Sequence, residues 1–216
     1  MKEIEKHLIT LAGHPICKVI TNNLLTQKEL TFLKTLKKKS YSYTDFNTNL
    51  KLSEETDILK YKHLERLKKL IWSNFDDYVI NVLQIKNQFY ICNSWCTIQK
   101  KGDYHPDHIH SNHIFSAVYY AQANKSGIKF TLERSKIQEG FLFDYIVKNY
   151  NVFNSSSWLL EVNSGDIVIF PGQLKHESTI CDSNDERIVI GSSYFIKGDI
   201  GTNLNYNNIN INSNKI

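Results

Sequence analysis

NSWCTIQKKGDYHPDHIHSNHIFSAVYYAQANKSGIKF, residues 93–130, sets the pattern from which the fold is read. Its β-branched and aromatic residues fall in short runs, broken by turn residues at Lys101-Gly102-Asp103 and Lys125-Ser126-Gly127. Such punctuation predicts short strands joined by tight turns. The same texture runs on to Phe195, with further turns at Asn163-Ser164-Gly165-Asp166 and Asp182-Ser183-Asn184-Asp185. Strands are expected near 89–99, 104–110, 115–122, 127–132, 158–162, 166–171, 174–181 and 187–196. Helices do not alternate with them, which argues against a Rossmann or TIM arrangement. The expected fold is mainly β with a helical N-terminal part: a double-stranded β-helix, the cupin-like jelly roll of two sheets.

Outside this core the texture changes. Residues 1–87 are expected to form a helical part packed on the barrel, 88–198 the jelly-roll core, and 199–216 an Asn-rich tail that frays or adds an edge strand. Thr26-Gln-Lys-Glu29 has the form of a capping box at a helix start. A second helix is expected from near Ser53. Its apolar residues Ile58, Tyr61, Leu64, Leu67, Ile71, Phe75, Tyr78 and Val82 are spaced by three and four, so they share one face. Residues 133–157 interrupt the strand rhythm and read as an insertion or a lid.

Composition bounds the function. The 216 residues are 41% hydrophobic and 12% aromatic, enough for a folded core and against a disordered chain. Lys and Arg exceed Asp and Glu by only four charges, too small an excess to indicate nucleic-acid binding. No run of 18 apolar residues occurs, so no membrane span is expected. The opening MKEIEKHLIT lacks the apolar stretch of a signal peptide, which points to the cytoplasm, or the host cytoplasm for a phage-encoded chain. Cys17, Cys92, Cys96 and Cys181 lack zinc-site spacing and read as reduced thiols.

Four histidines, His105, His108, His110 and His113, fall within nine residues, and His176 follows in FPGQLKHES. Residues two apart on a strand point to one face, so His108 and His110 can converge on one metal. In a jelly roll the strands carrying His108 and His176 lie side by side, which makes His176 the natural third ligand. Three ligands on one face of Fe(II) leave positions open for small molecules. A rival dyad, His105-Pro-Asp107, would supply a carboxylate, although Pro106 suits a paired strand poorly. Arg187 opens the last strand, ahead of Val189, Gly191 and Ser193 on the same face. Turned inward, its guanidinium needs an anionic partner such as a bound carboxylate; turned outward, it would pair with Asp185 or Glu186.

The combined pattern resembles the Fe(II)/2-oxoglutarate-dependent oxygenase superfamily, and within it a group found in marine bacteria and phages. Five stretches carry the resemblance: Gly102-Asp-Tyr104, His108-Ile-His110, Ser116-Ala117-Val118-Tyr119-Tyr120, Phe170-Pro171-Gly-Gln-Leu174-Lys-His176, and Arg187. Ala117 stands where that group has Gly, and Gly172 where an apolar or small residue is common. The resemblance implies Fe(II) held by His108, His110 and His176, with 2-oxoglutarate as cosubstrate beside O₂. It also implies that Arg187 and Tyr120 hold the far carboxylate of 2-oxoglutarate. The implied reaction hydroxylates an aliphatic C–H of a small-molecule or peptide substrate and releases succinate and CO₂.

Two other readings compete. A three-His, cupin-like metalloenzyme could act without 2-oxoglutarate. A jelly-roll binding or structural protein could carry the histidines without catalysis. A homodimer is compatible with all three.

Overall fold

The computed structural model describes residues 5–11, 13–22, 24–42, 48–124, 126–133, 146–151, 154–201 and 208–212. Twelve strands and two α-helices are assigned among them. The strands are β1 (Glu5–Leu11), β2 (His14–Ile20), β3 (Lys38–Ser42), β4 (Asn49–Ser53), β5 (Gln88–Gln99), β6 (Phe115–Gln122), β7 (Ser126–Thr131), β8 (Ser157–Val162), β9 (Ile167–Pro171), β10 (Lys175–Ser178), β11 (Arg187–Ile200) and β12 (Ile209–Ile211). The helices are α1 (Gln27–Thr35) and α2 (Glu65–Asp77), the latter continued by a π-helical turn, Tyr78–Val82.

One sheet runs β1-β2-β9-β6-β11-β5-β4-β3, with β12 paired to the end of β11; the other runs β10-β7-β8. All strand pairs are antiparallel. Strand alternation sorts the side chains into two layers. Val118, Tyr120, Ile128, Phe130, Val168 and Phe170 meet between the two sheets. Ala117, Tyr119, Ile188, Ile190 and Tyr194 face the other way, onto the helices. There Phe75 of α2 stacks on Tyr194 at 3.6 Å between ring centroids and meets Phe89 and Phe115 edge-on. The helices back the large sheet and leave the space between sheets to the site.

The N-terminal third holds more strand than its Leu/Lys spacing predicts. The capping box is present, with Thr26 N–H donating to Glu29 Oε2 at 2.7 Å and Glu29 N–H to Thr26 Oγ1 at 3.2 Å. The second helix begins at Glu65 rather than near Ser53, after two short 3₁₀ turns. Its apolar stripe packs as expected at Ile58, Leu64, Leu67, Ile71, Phe75 and Tyr78, which are buried, while Tyr61 is half-buried and Val82 is exposed. Around these helices, β1–β2 and β3–β4 form hairpins that extend both ends of the large sheet. Five-residue strands such as KKSYS carry too little periodicity to compete with a helical reading; pairing of β3 with β4, and of β4 with β5, settles their conformation.

Seven of the eight expected core strands are present within a few residues. The exception is 104–110, which runs beside β10 without forming a regular ladder. His108 and His176 exchange backbone hydrogen bonds at 2.9 and 3.0 Å, and Ser178 N–H reaches the His105 carbonyl at 3.0 Å. Between these contacts Pro106 has no N–H to donate, so the ladder is interrupted. Most of the proposed lid lies outside the described residues. So does most of the Asn-rich tail, of which β12 is the described strand.

Candidate metal and cosubstrate site

The isolated bridge between His108 and His176 brings two distant stretches of chain into contact. One nitrogen from each of His108, His110 and His176 lies within 4.8 Å of the others. His108 Nδ1 is 2.8 Å from the Pro106 carbonyl and His176 Nδ1 is 2.8 Å from the Leu174 carbonyl. A carbonyl only accepts, so both Nδ1 atoms carry the proton and both Nε2 atoms present a lone pair. His108 Nε2 and His110 Nε2 are 2.9 Å apart. That is about the separation of two nitrogens at right angles around an ion roughly 2.1 Å from each.

Burial keeps these imidazoles neutral. It pushes His176 down to about 3, helped by the neighbouring His108. It pushes His110 down to about 2, helped by His176, His108 and His113. His108 is also lowered by burial, against the opposing pull of the Pro106 carbonyl and Asp107. Neutral imidazole is the form that ligates a metal.

The rival dyad is not assembled. Asp107 is ion-paired with Lys175 and outside the convergent group. His105 stacks on His108 at 4.0 Å between centroids and lines the cavity beside the triad. His113 is buried, with Nε2 2.9 Å from Ser116 Oγ and Nδ1 3.1 Å from the Ser111 carbonyl. It meets His110 edge-on at 5.0 Å. A Cβ at position 172 would lie 2.5 Å from the His113 ring, so Gly172 is what lets that ring sit there.

The cavity holds about 60 Å³ and is walled by Trp95, Thr97, Gln99, Val118 and Ile128 as well as the histidines. Arg187 lies inside the barrel, 2% exposed, and donates to Gln99 Oε1, Ser178 Oγ and Thr179. Ser178 is two residues from His176 on β10, about 6.7 Å along a strand. Tyr120 is buried in the inter-sheet cluster; burial raises its phenol well above the usual range, against the field of Arg187. Among the described residues it makes no hydrogen bond to Arg187.

Sequence reasoning missed the residues that seat these groups. Gln99, Ser126, Ser178 and Thr179 surround Arg187, but their roles arise from strand register and leave no local signal. Trp95 was missed although its seat had one: Gly191, a lone glycine inside a strand, marks a close approach. A Cβ there would lie 2.4 Å from the Trp95 ring.

The fold is a double-stranded β-helix in which three neutral imidazoles converge beside one cavity, and the buried Arg187 guanidinium is bonded to Gln99 and Ser178 of the cavity wall. Residues 93–193 match the family model described as "Putative 2OG-Fe(II) oxygenase". Similar folds include an oxidoreductase of the 2OG-Fe(II) oxygenase family from Burkholderia pseudomallei, 10% identical, TM-score 0.54, covering 77% of this chain and 76% of that one. A prolyl-4-hydroxylase from Pseudomonas putida is 11% identical, with TM-score 0.53, over 85% of this chain and 94% of that one. HygX from Streptomyces hygroscopicus, solved with nickel and 2-oxoglutarate, is 12% identical, with TM-score 0.50, over 86% and 83%. At such identities the likeness speaks for the fold. No curated protein matches the chain in sequence. The residues present suit both cofactors: converging nitrogens for Fe(II), and for a dicarboxylate an inward cation with no carboxylate on it among the described residues.

Proposed function

We propose that His108, His110 and His176 hold Fe(II), that Arg187 and Tyr120 receive the far carboxylate of 2-oxoglutarate, and that the enzyme hydroxylates an aliphatic C–H of a small-molecule or peptide substrate. The convergence of the three nitrogens, two of them with tautomers fixed by backbone carbonyls, carries this reading. When bound, iron would let O₂, the oxidant, oxidise both 2-oxoglutarate, to succinate and CO₂, and the substrate C–H.

The chain's own groups supply the rest. The Pro106 and Leu174 carbonyls hold the His108 and His176 protons on Nδ1 and aim both rings. Arg187, bonded to the cavity-wall residues Gln99 and Ser178, sets the orientation of the diacid. Trp95, Val118 and Ile128 give the cavity apolar walls that exclude water.

The test is succinate formation from 2-oxoglutarate. It requires Fe(II), falls to background in His176→Ala, and is accompanied by a visible charge-transfer band when 2-oxoglutarate is added to the anaerobic Fe(II) protein. No band, or turnover that survives His176→Ala, would remove the proposal.

A further inference from the structure

We infer that Gln99 is a positioning residue that aims the Arg187 guanidinium while leaving its charge for a ligand, and so selects a dicarboxylate over a monocarboxylate. The inference rests on the cosubstrate site proposed above.

Arg187 is enclosed by neutral acceptors. Its Nε–H donates to Gln99 Oε1 at 2.6 Å; Nη1 reaches Thr179 Oγ1 at 3.2 Å and Ser126 Oγ at 3.5 Å; Nη2 reaches Ser178 Oγ at 3.0 Å and the Thr179 carbonyl at 2.5 Å. Besides Cys181 and Tyr120, Asp103 is the carboxylate whose field reaches it. The Asp103 carboxylate, however, accepts from the backbone N–H groups of Lys100 and Asn49 and makes no ion pair with Arg187. The geometry of the guanidinium is therefore satisfied while its charge is not, and a buried cation in that condition favours an anion of the right reach.

Gln99 is the acceptor that register fixes. It lies opposite Arg187 across β5 and β11 and is 2% exposed. Its Oε1 takes the Nε–H, and its Nε2 donates to Ser178 Oγ at 3.2 Å. Ser178 Oγ also receives Arg187 Nη2 and, at 2.7 Å, the His105 N–H. One amide thus couples the guanidinium to β10, the strand that carries His176. The amide identity matters. A carboxylate of the same shape would fork onto the guanidinium and supply the missing counter-charge from within the chain.

The experiment uses Co(II)-loaded, oxygen-free protein. Binding of 2-oxoglutarate is compared with that of 2-oxopentanoate, which keeps the 2-oxo acid head and lacks the second carboxylate, and ligand-free thermal midpoints are recorded alongside. Gln99→Glu is expected to raise the midpoint and weaken 2-oxoglutarate about tenfold or more. It should leave 2-oxopentanoate within about twofold, inside the ordinary scatter of a surface change. Gln99→Leu, which removes the acceptor without adding charge, is expected to lower both the midpoint and the preference for the diacid. Unchanged preference in either variant, or equal loss of both ligands, overturns the role of Gln99. If wild-type protein binds neither 2-oxo acid, the proposed cosubstrate site itself is wrong.

Discussion

Gly191 is the position where one hydrogen in place of a methyl group decides the shape of the cavity. The Trp95 ring occupies the space a Cβ would need, 2.4 Å away, and tilts against His110 with centroids 5.4 Å apart. Gly191→Ala should therefore displace the indole, cost about 1–3 kcal/mol through overpacking, and weaken Co(II) binding by loosening His110. Denaturant titration and a Co(II) titration measure the two effects; wild-type values for both would show that the indole has room to yield. At this scale the sequence was informative where chemistry is dense. Two imidazoles at alternate positions and a third after Pro171-Gly172 pointed to one shared site, and the structure brings those three together. It was silent on Gln99 and Ser178, ordinary polar residues whose meaning comes from lying across from Arg187 or two residues beyond His176.

α2 is the element that turns an exposed sheet face into core. Phe75 sits at the centre of that contact, 1% exposed, against Tyr194, Phe89 and Phe115. Phe75→Ala should cost about 3–5 kcal/mol of folding free energy. The loss falls in the outer cluster, so metal stoichiometry at saturating Co(II) should stay at the wild-type value. Chemical denaturation beside a metal assay checks this, and a small cost would mean that the outer layer collapses around the hole. Elements were legible in proportion to their periodicity. The three-and-four spacing of α2 and the turn-bounded core strands could be read directly. The hairpins β1–β2 and β3–β4 depend on partners far along the chain and could not. The stretch 104–110 lay between these cases: its direction along β10 was readable, but Pro106 broke the ladder its composition suggested.

At the scale of the whole molecule, the N-terminal and central segments are tied together at one buried carboxylate. Glu29 is 4% exposed and accepts from Arg66 Nε at 3.0 Å, Arg66 Nη2 at 2.6 Å, and the Thr26 backbone and hydroxyl. Burial alone would raise its pKa; the bonds from Arg66 and Thr26 outweigh burial and hold it below the usual carboxylate range. The folded state thus binds this proton less readily than the unfolded chain, in which Glu titrates near 4.3. The resulting stabilisation is fully present above that value and is lost as pH falls through the lower, folded-state pKa. Glu29→Gln removes the charge and keeps the shape. Its stability deficit should therefore be largest near neutral pH and shrink steadily as the solution is taken below about pH 4.3. Urea denaturation of both proteins from pH 7 to pH 3 gives the comparison directly. A deficit constant across that range would mean that Glu29 acts through its shape and hydrogen bonds alone, and that its ion pair with Arg66 adds nothing to the joining of α1 to α2.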